Sequence, residues 1–164
     1  MQFSLVAALS LLASVEAAHL WNKPAVKLVK TKAAVATNYT WSVTGWSAGC
    51  TRGGCFYDFN ISAPAFSNSV PAFKASCSGF GEGTPYEECE LLDDSNTIRQ
   101  VAARLEAVNT TGTGAHLAVS YEFVDPTAEG TYWNYTAYAV SRYNQFVSPV
   151  LNFTVQPTEI WGVA

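Results

Sequence analysis

The chain is short of charge. Asp, Glu, Lys and Arg make up 13% of its 164 residues, about half the share of an ordinary soluble domain. Histidine is scarcer still, with His19 and His116 the only two. These shortages exclude whole classes of chemistry. No Cys-x-x-Cys pair occurs and neither histidine lies near a cysteine in sequence, so no zinc ligand set is legible. A Ser-His-Asp site needs a histidine at its centre. His19 falls in a basic arm and His116 at the start of a strand, so both read as structural. The run Gly79-Phe80-Gly81-Glu82-Gly83 lacks the Lys and the following helix of a phosphate loop. No metal, no cofactor, no nucleic acid and no enzymatic activity are expected. Beyond the N-terminal run no apolar stretch is long enough to span a bilayer, and Pro157–Ala164 does not read as a lipid-anchor tail.

What is present is a β-rich, export-type composition. Aromatics make up 13% of the chain, and Ser, Thr, Asn and Gly supply most of the polarity, a balance that favours strands. Leu5–Val15 is apolar, too short for a membrane helix, and followed by Val15-Glu16-Ala17. That is the pattern of a secretory leader cleaved after Ala17. The expected organisation is therefore a signal peptide at 1–17, a basic arm or edge strand at 18–37, and one domain at 38–164, secreted to the apoplast or fungal cell wall. Lys23, Lys27, Lys30 and Lys32 make the arm net +4 through Lys32, while the rest of the mature chain carries five basic and twelve acidic residues. The arm reads as a solvated segment, with docking to an acidic surface as the sharper alternative.

Cys50, Cys55, Cys77 and Cys89 are an even set in an export-type chain, which implies disulfides. Three pairings are possible. The local one, Cys50–Cys55 with Cys77–Cys89, is favoured because Gly53 and Gly54 let the chain reverse and because Ser78–Pro85 needs a covalent brace. Five Asn-x-Ser/Thr triplets, at Asn38, Asn60, Asn109, Asn134 and Asn152, are candidate glycosylation sites, provided each asparagine faces solvent. Asn60, Asn134 and Asn152 fall on the polar side of expected strands.

Period-two alternation dominates. Tyr39, Trp41 and Val43 share a face, as do Tyr57, Phe59 and Ile61; Phe73, Ala75 and Cys77; Leu117, Val119, Tyr121 and Phe123; Trp133, Tyr135, Ala137 and Ala139. Leu151, Phe153 and Val155 end the series, with Pro149 and Pro157 bracketing the last strand. Ile98–Val108 fits either a helix or a strand; the turn cluster that follows it reads best as the tip of a long hairpin. About eight strands result, an all-β single-domain antiparallel β-barrel or sandwich braced by disulfides.

Two carboxylates opposed across a cleft would suggest glycoside hydrolysis. Glu87, Glu88, Glu90, Asp93 and Asp94 read instead as a solvated acidic rim. Glu106 and Glu122 are a pair that the hairpin would set face to face, both on its polar side. Trp46, Tyr132, Tyr138 and Tyr143 are candidates for an exposed platform on which sugar rings stack, against the plainer reading of ordinary packing.

The run Trp41-x-Val43-x-x-Trp46, Phe59-Asn60-Ile61, Phe73-x-x-x-Cys77-Ser78 and Tyr86-x-x-Cys89 resembles the Alternaria major-allergen-like proteins of filamentous fungi. The likeness covers about Tyr39 to Cys89. It implies a compact β-barrel, an intramolecular Cys77–Cys89 pair and a non-catalytic role as an effector or elicitor that binds a host extracellular protein or a small ligand. The family's later cysteine pair is missing here, and Cys50 and Cys55 are extra. The alternative expectation is a cell-wall glycan-binding module that uses exposed Trp and Tyr.

Overall fold

The structure is a computed structural model that describes residues 28–31, 38–94, 96–107, 114–144 and 150–163, the first of these as backbone only. The expected leader, most of the basic arm and Asn109 lie outside the described residues. Eleven strands are present: β1 (Leu28–Thr31), β2 (Trp41–Thr51), β3 (Gly54–Ala63), β4 (Phe73–Phe80), β5 (Glu87–Glu88), β6 (Glu90–Leu91), β7 (Arg99–Leu105), β8 (Ala115–Val124), β9 (Tyr132–Ser141), β10 (Leu151–Val155) and β11 (Pro157–Val163). They form a six-stranded sheet in the order β1-β11-β9-β8-β7-β5 and a five-stranded sheet in the order β10-β2-β3-β4-β6. All pairings between these strands are antiparallel. The two sheets stack as a sandwich and do not close into a barrel. Among the described residues no helix is long and apolar enough to cross a membrane.

The core follows from alternation. Leu117, Val119, Tyr121 and Phe123 of β8 face Trp41, Phe59, Phe73 and Ala75 of the other sheet, all buried. Phe73 lies 4.3 Å from the Tyr121 ring and Tyr121 4.9 Å from Phe123, centre to centre. Such contacts add to the plain burial of large rings. Within Ile98–Val108 the strand β7 runs over Arg99–Leu105: Val101, Ala103 and Leu105 are buried and β7 pairs with β8.

Two corners join the sheets. At one, β5 belongs to the six-stranded sheet and β6 to the five-stranded sheet, with Cys89 alone between them. Cys89 donates its N–H to the Val101 carbonyl at 2.8 Å and is bonded to Cys77 of β4. The brace therefore spans both sheets. The second disulfide, Cys50–Cys55, closes the β2–β3 turn. At the opposite side β10 passes into β11 through Gln156. Pro157, expected from the sequence to bracket the last strand, instead opens another. The first residue of a strand is one of the few sheet positions where a missing N–H costs little, and a register shift between Pro157 and Glu159 absorbs the corner.

Tyr57 ties the layers together with a hydrogen bond from its hydroxyl to the Ala103 carbonyl, 2.8 Å long and buried. The bond requires glycine at position 79, where any Cβ would collide with the Tyr57 hydroxyl and ring. Gly79→Ala is expected to destabilise the domain by about 1–3 kcal/mol, read as a lower denaturant midpoint at unchanged slope.

The β8–β9 turn is organised by Asp125. Its Oδ1 accepts from the Thr127 N–H and hydroxyl at 2.8 and 2.6 Å, and its Oδ2 from Trp133 Nε1 at 3.0 Å. Burial pushes this carboxyl's pKa up, but the hydrogen bonds outweigh it and hold the pKa below the ordinary value. A pKa lower in the folded than in the unfolded state stabilises above the unfolded value of about 3.9, and that contribution is lost as pH falls through the folded pKa. Asp125→Ala is therefore expected to cost about 1–3 kcal/mol at neutral pH. Thermal melts across an acid series should show the gap between variant and parent narrowing below about pH 4.

Candidate functional site

The outer face of the six-stranded sheet carries the molecule's most distinctive surface. Register fixes what stands beside what. Across β5, β7, β8, β9 and β11, Glu88 aligns with Ala102, Ser120, Thr136 and Glu159. The neighbouring line towards the Tyr132 end holds Gln100, Glu122, Asn134 and Trp161. The line on the other side holds Arg104, Ala118 and Tyr138, with Tyr86 just before β5 stacked under the Arg104 guanidinium at 4.4 Å. Small side chains thus form a floor between two taller walls.

A depression of about 410 Å³ lies over this floor, lined by Tyr86, Glu88, Gln100, Ala102, Ser120 and Glu122. A second, of about 290 Å³, adjoins it towards Ile98, Val124 and Tyr132. Glu88, Gln100 and Glu122 line both, so the two make one trough. The floor is set by hydrogen bonds: Asn134 Nδ2 donates to Ser120 Oγ at 2.7 Å, and Thr136 Oγ1 donates to Asn134 Oδ1 at 3.1 Å.

The charges on this face are unevenly matched. Arg99, aligned with the buried Phe123, belongs to the inner side of β7, where its guanidinium is almost fully buried and paired with Asp93. Arg104 pairs with Glu106 at 3.2 Å. Tyr138 donates its hydroxyl to Glu159 at 3.2 Å. Burial, then the nearby Tyr86 and Glu159, push the Tyr138 pKa up to about 12. Among the described residues the carboxylates of Glu88 and Glu122 have neither an ion-pair nor a hydrogen-bond partner.

The four candidate stacking residues do not form one platform. Trp46 is fully buried between Phe59 and Phe153, its Nε1 donating to the Arg142 carbonyl at 3.1 Å. The cause is a bulge between Thr44 and Ser47, where Gly45 takes φ of 69°. One extra residue swaps the faces of everything beyond it, so Trp46 and Ala48 succeed Val43 in the core. Tyr143 lies outside the strands, its hydroxyl bonded to Glu82. Tyr132 and Tyr138 do share the outer face of β9, but six residues separate them, roughly 20 Å. Only Tyr132 lines the trough.

Glu106 and Glu122 do not face each other. The Glu106 N–H donates to the His116 carbonyl, whereas Glu122 stands opposite Gln100. The acidic segment after Pro85 is also not a uniform rim. Glu88 enters the trough, Glu87 accepts from the Phe80 N–H and Asp93 holds Arg99.

Of the candidate glycosylation sites, Asn38, Asn60 and Asn152 are exposed. Asn60 and Asn152 stand on the outer face of the five-stranded sheet, on either side of Gly45, whose N–H donates to Asn152 Oδ1 at 2.9 Å. Asn134 was expected to face solvent. It does point away from the core, but Ser120, Thr136 and the larger side chains around them leave it 5% exposed, with its amide nitrogen engaged.

Sequence reasoning overlooked Tyr86, Gln100, Arg104, Glu159 and Trp161. The available signal was the set of outward positions on β7 and β8, Gln100, Ala102, Ser120 and Glu122, whose small–large contrast outlines the trough once register is known. Comparison with protein families, with curated proteins and with solved structures returns no match for this chain.

Proposed function

We propose that this is a secreted, glycosylated, non-catalytic binding protein, and that the trough on the six-stranded sheet is its binding surface for a glycan chain. The observation that carries the reading is the trough itself: an open groove across strands, floored by Ala102 and Ser120, with Tyr132 at one end and Gln100, Glu88 and Glu122 along its sides. A sugar ring offers an apolar face to an aromatic ring and hydroxyl groups to amides and carboxylates. The groove offers both partners, on rigid strands that need no reordering to bind. The Alternaria-like resemblance adds an extracellular, effector-like setting in which that glycan belongs to a cell wall. The same resemblance implies a host protein as partner, but the open groove fits a narrow chain better than a broad protein surface.

Two experiments test this. Retention on chitin, its deacetylated form, cellulose and β-glucan should occur for at least one polymer. Tyr132→Ala should weaken it about tenfold, the worth of one aromatic contact. Val140→Ala, exposed on the same strand but outside the trough, should leave it unchanged. Failure to bind any of these glycans, or release of shorter oligomers from them, would refute the proposal.

Peptide mapping of the secreted protein should find glycans on Asn60 and Asn152 and an unmodified Asn134. A glycan there would break the Asn134–Ser120 bond and fill the groove. An occupied Asn134 would overturn the assignment of this face as a binding surface.

A further inference from the structure

Resting on that reading, we propose that the trough selects a cationic amino-sugar chain, one whose rings carry free 2-amino groups, over its N-acetylated and its acidic counterparts. The argument is charge complementarity. Glu88 and Glu122 both line the two halves of the groove, and neither is compensated by a cation. The nearby guanidinium groups are spent: Arg99 on Asp93 and Arg104 on Glu106, stacked over Tyr86. Glu159 adds a further carboxylate at the far end of the same line of side chains. Two carboxylates without counter-charges in one groove, Glu88 and Glu122, give it a negative potential.

An ammonium group entering the groove forms charge-assisted hydrogen bonds, roughly twice as strong as the neutral ones an acetamide or hydroxyl would make. A uronic-acid chain meets like charge and is rejected. The sugar backbone supplies the contact with Tyr132 and Gln100, and the amino groups supply the selectivity.

Calorimetric titration of the intact protein with a glucosamine oligomer, the matching N-acetylglucosamine oligomer, a galacturonate oligomer and oligolysine decides the matter. The glucosamine chain should bind at least about tenfold more tightly than the N-acetylated one. Salt near 1 M, which shortens the screening length to roughly 3 Å, should erase most of that preference. In the Glu88→Gln, Glu122→Gln double variant the ratio of the two affinities should fall towards one; both positions are surface-facing, and an unchanged melting temperature checks the fold. Equal affinity of the two sugars in the parent protein would overturn this inference and leave the glycan reading standing. Oligolysine binding as tightly as the glucosamine chain would overturn it too, since charge alone would then suffice. Binding of none of the sugars would overturn this inference, and the glycan reading with it if none of the polymers retained the protein.

Discussion

Everything in this domain hangs on two places where a strand leaves one sheet and enters the other. At Cys89 the turn from β5 to β6 takes a single residue, and at Gln156 the turn from β10 to β11 does the same. The chain's other crossings between the sheets run through longer connections. Here both lateral sides are stitched covalently by the backbone, and the first is stitched again by the Cys77–Cys89 bond. Closing that loop restricts the unfolded chain by about 3 kcal/mol on loop-closure entropy. The bond at Cys50–Cys55 only tightens a hairpin that Gly54 and the strand register already form, so the corner brace is the more consequential of the two.

The corners also explain why a groove exists on one outer face. β5 is only two residues long before the chain turns away, so Glu88 is the last outward side chain on that edge and the surface drops off beside Ala102. On the next strands the register sets Ala102, Ser120 and Thr136 in line. Replacing Ala102 or Ser120 by a large side chain would fill the groove without touching the core. The outer face of the five-stranded sheet has no comparable relief. Its outward positions mix small polar side chains, Ser42, Thr44, Asn60, Ser62, Ser76, Asn152 and Thr154, with Asp58, Lys74 and the exposed Phe80.

Alternation made most of the core legible in the sequence, because a strand with one buried face leaves a period of two. Tyr57, Phe59 and Ile61, or Leu117 to Phe123, could be assigned inward from pattern alone, and the buried faces agree. The pattern failed where the backbone departs from two-residue repetition. The bulge at Gly45 reversed the faces of β2 beyond it, which sent Trp46 from an expected platform into the core. The corner at Pro157 hid a whole strand behind a residue that normally ends one. The groove was illegible for a different reason. It is built from side chains contributed by separate strands, and single-sequence periodicity tells which face a residue takes but not which residues of other strands stand beside it.

Folding alone does not account for the composition of that groove. An outward position on a sheet is satisfied by Thr or Ser, and the other sheet uses them at Ser42, Thr44, Ser62, Ser76 and Thr154. Carboxylates on one sheet face without counter-charges repel one another and lower stability slightly. In a chain this poor in charge, Glu88 and Glu122 could have been placed beside Arg99 or Arg104, yet both guanidinium groups are committed to Asp93 and Glu106. Asp93 fixes the end of β7, and Glu106 together with Tyr86 fixes Arg104 as a wall. These two guanidinium groups therefore serve the scaffold, and Glu88 and Glu122 stand in the groove without them. A surface that gives up stability in this way is the arrangement expected where charge meets a ligand rather than the rest of the protein.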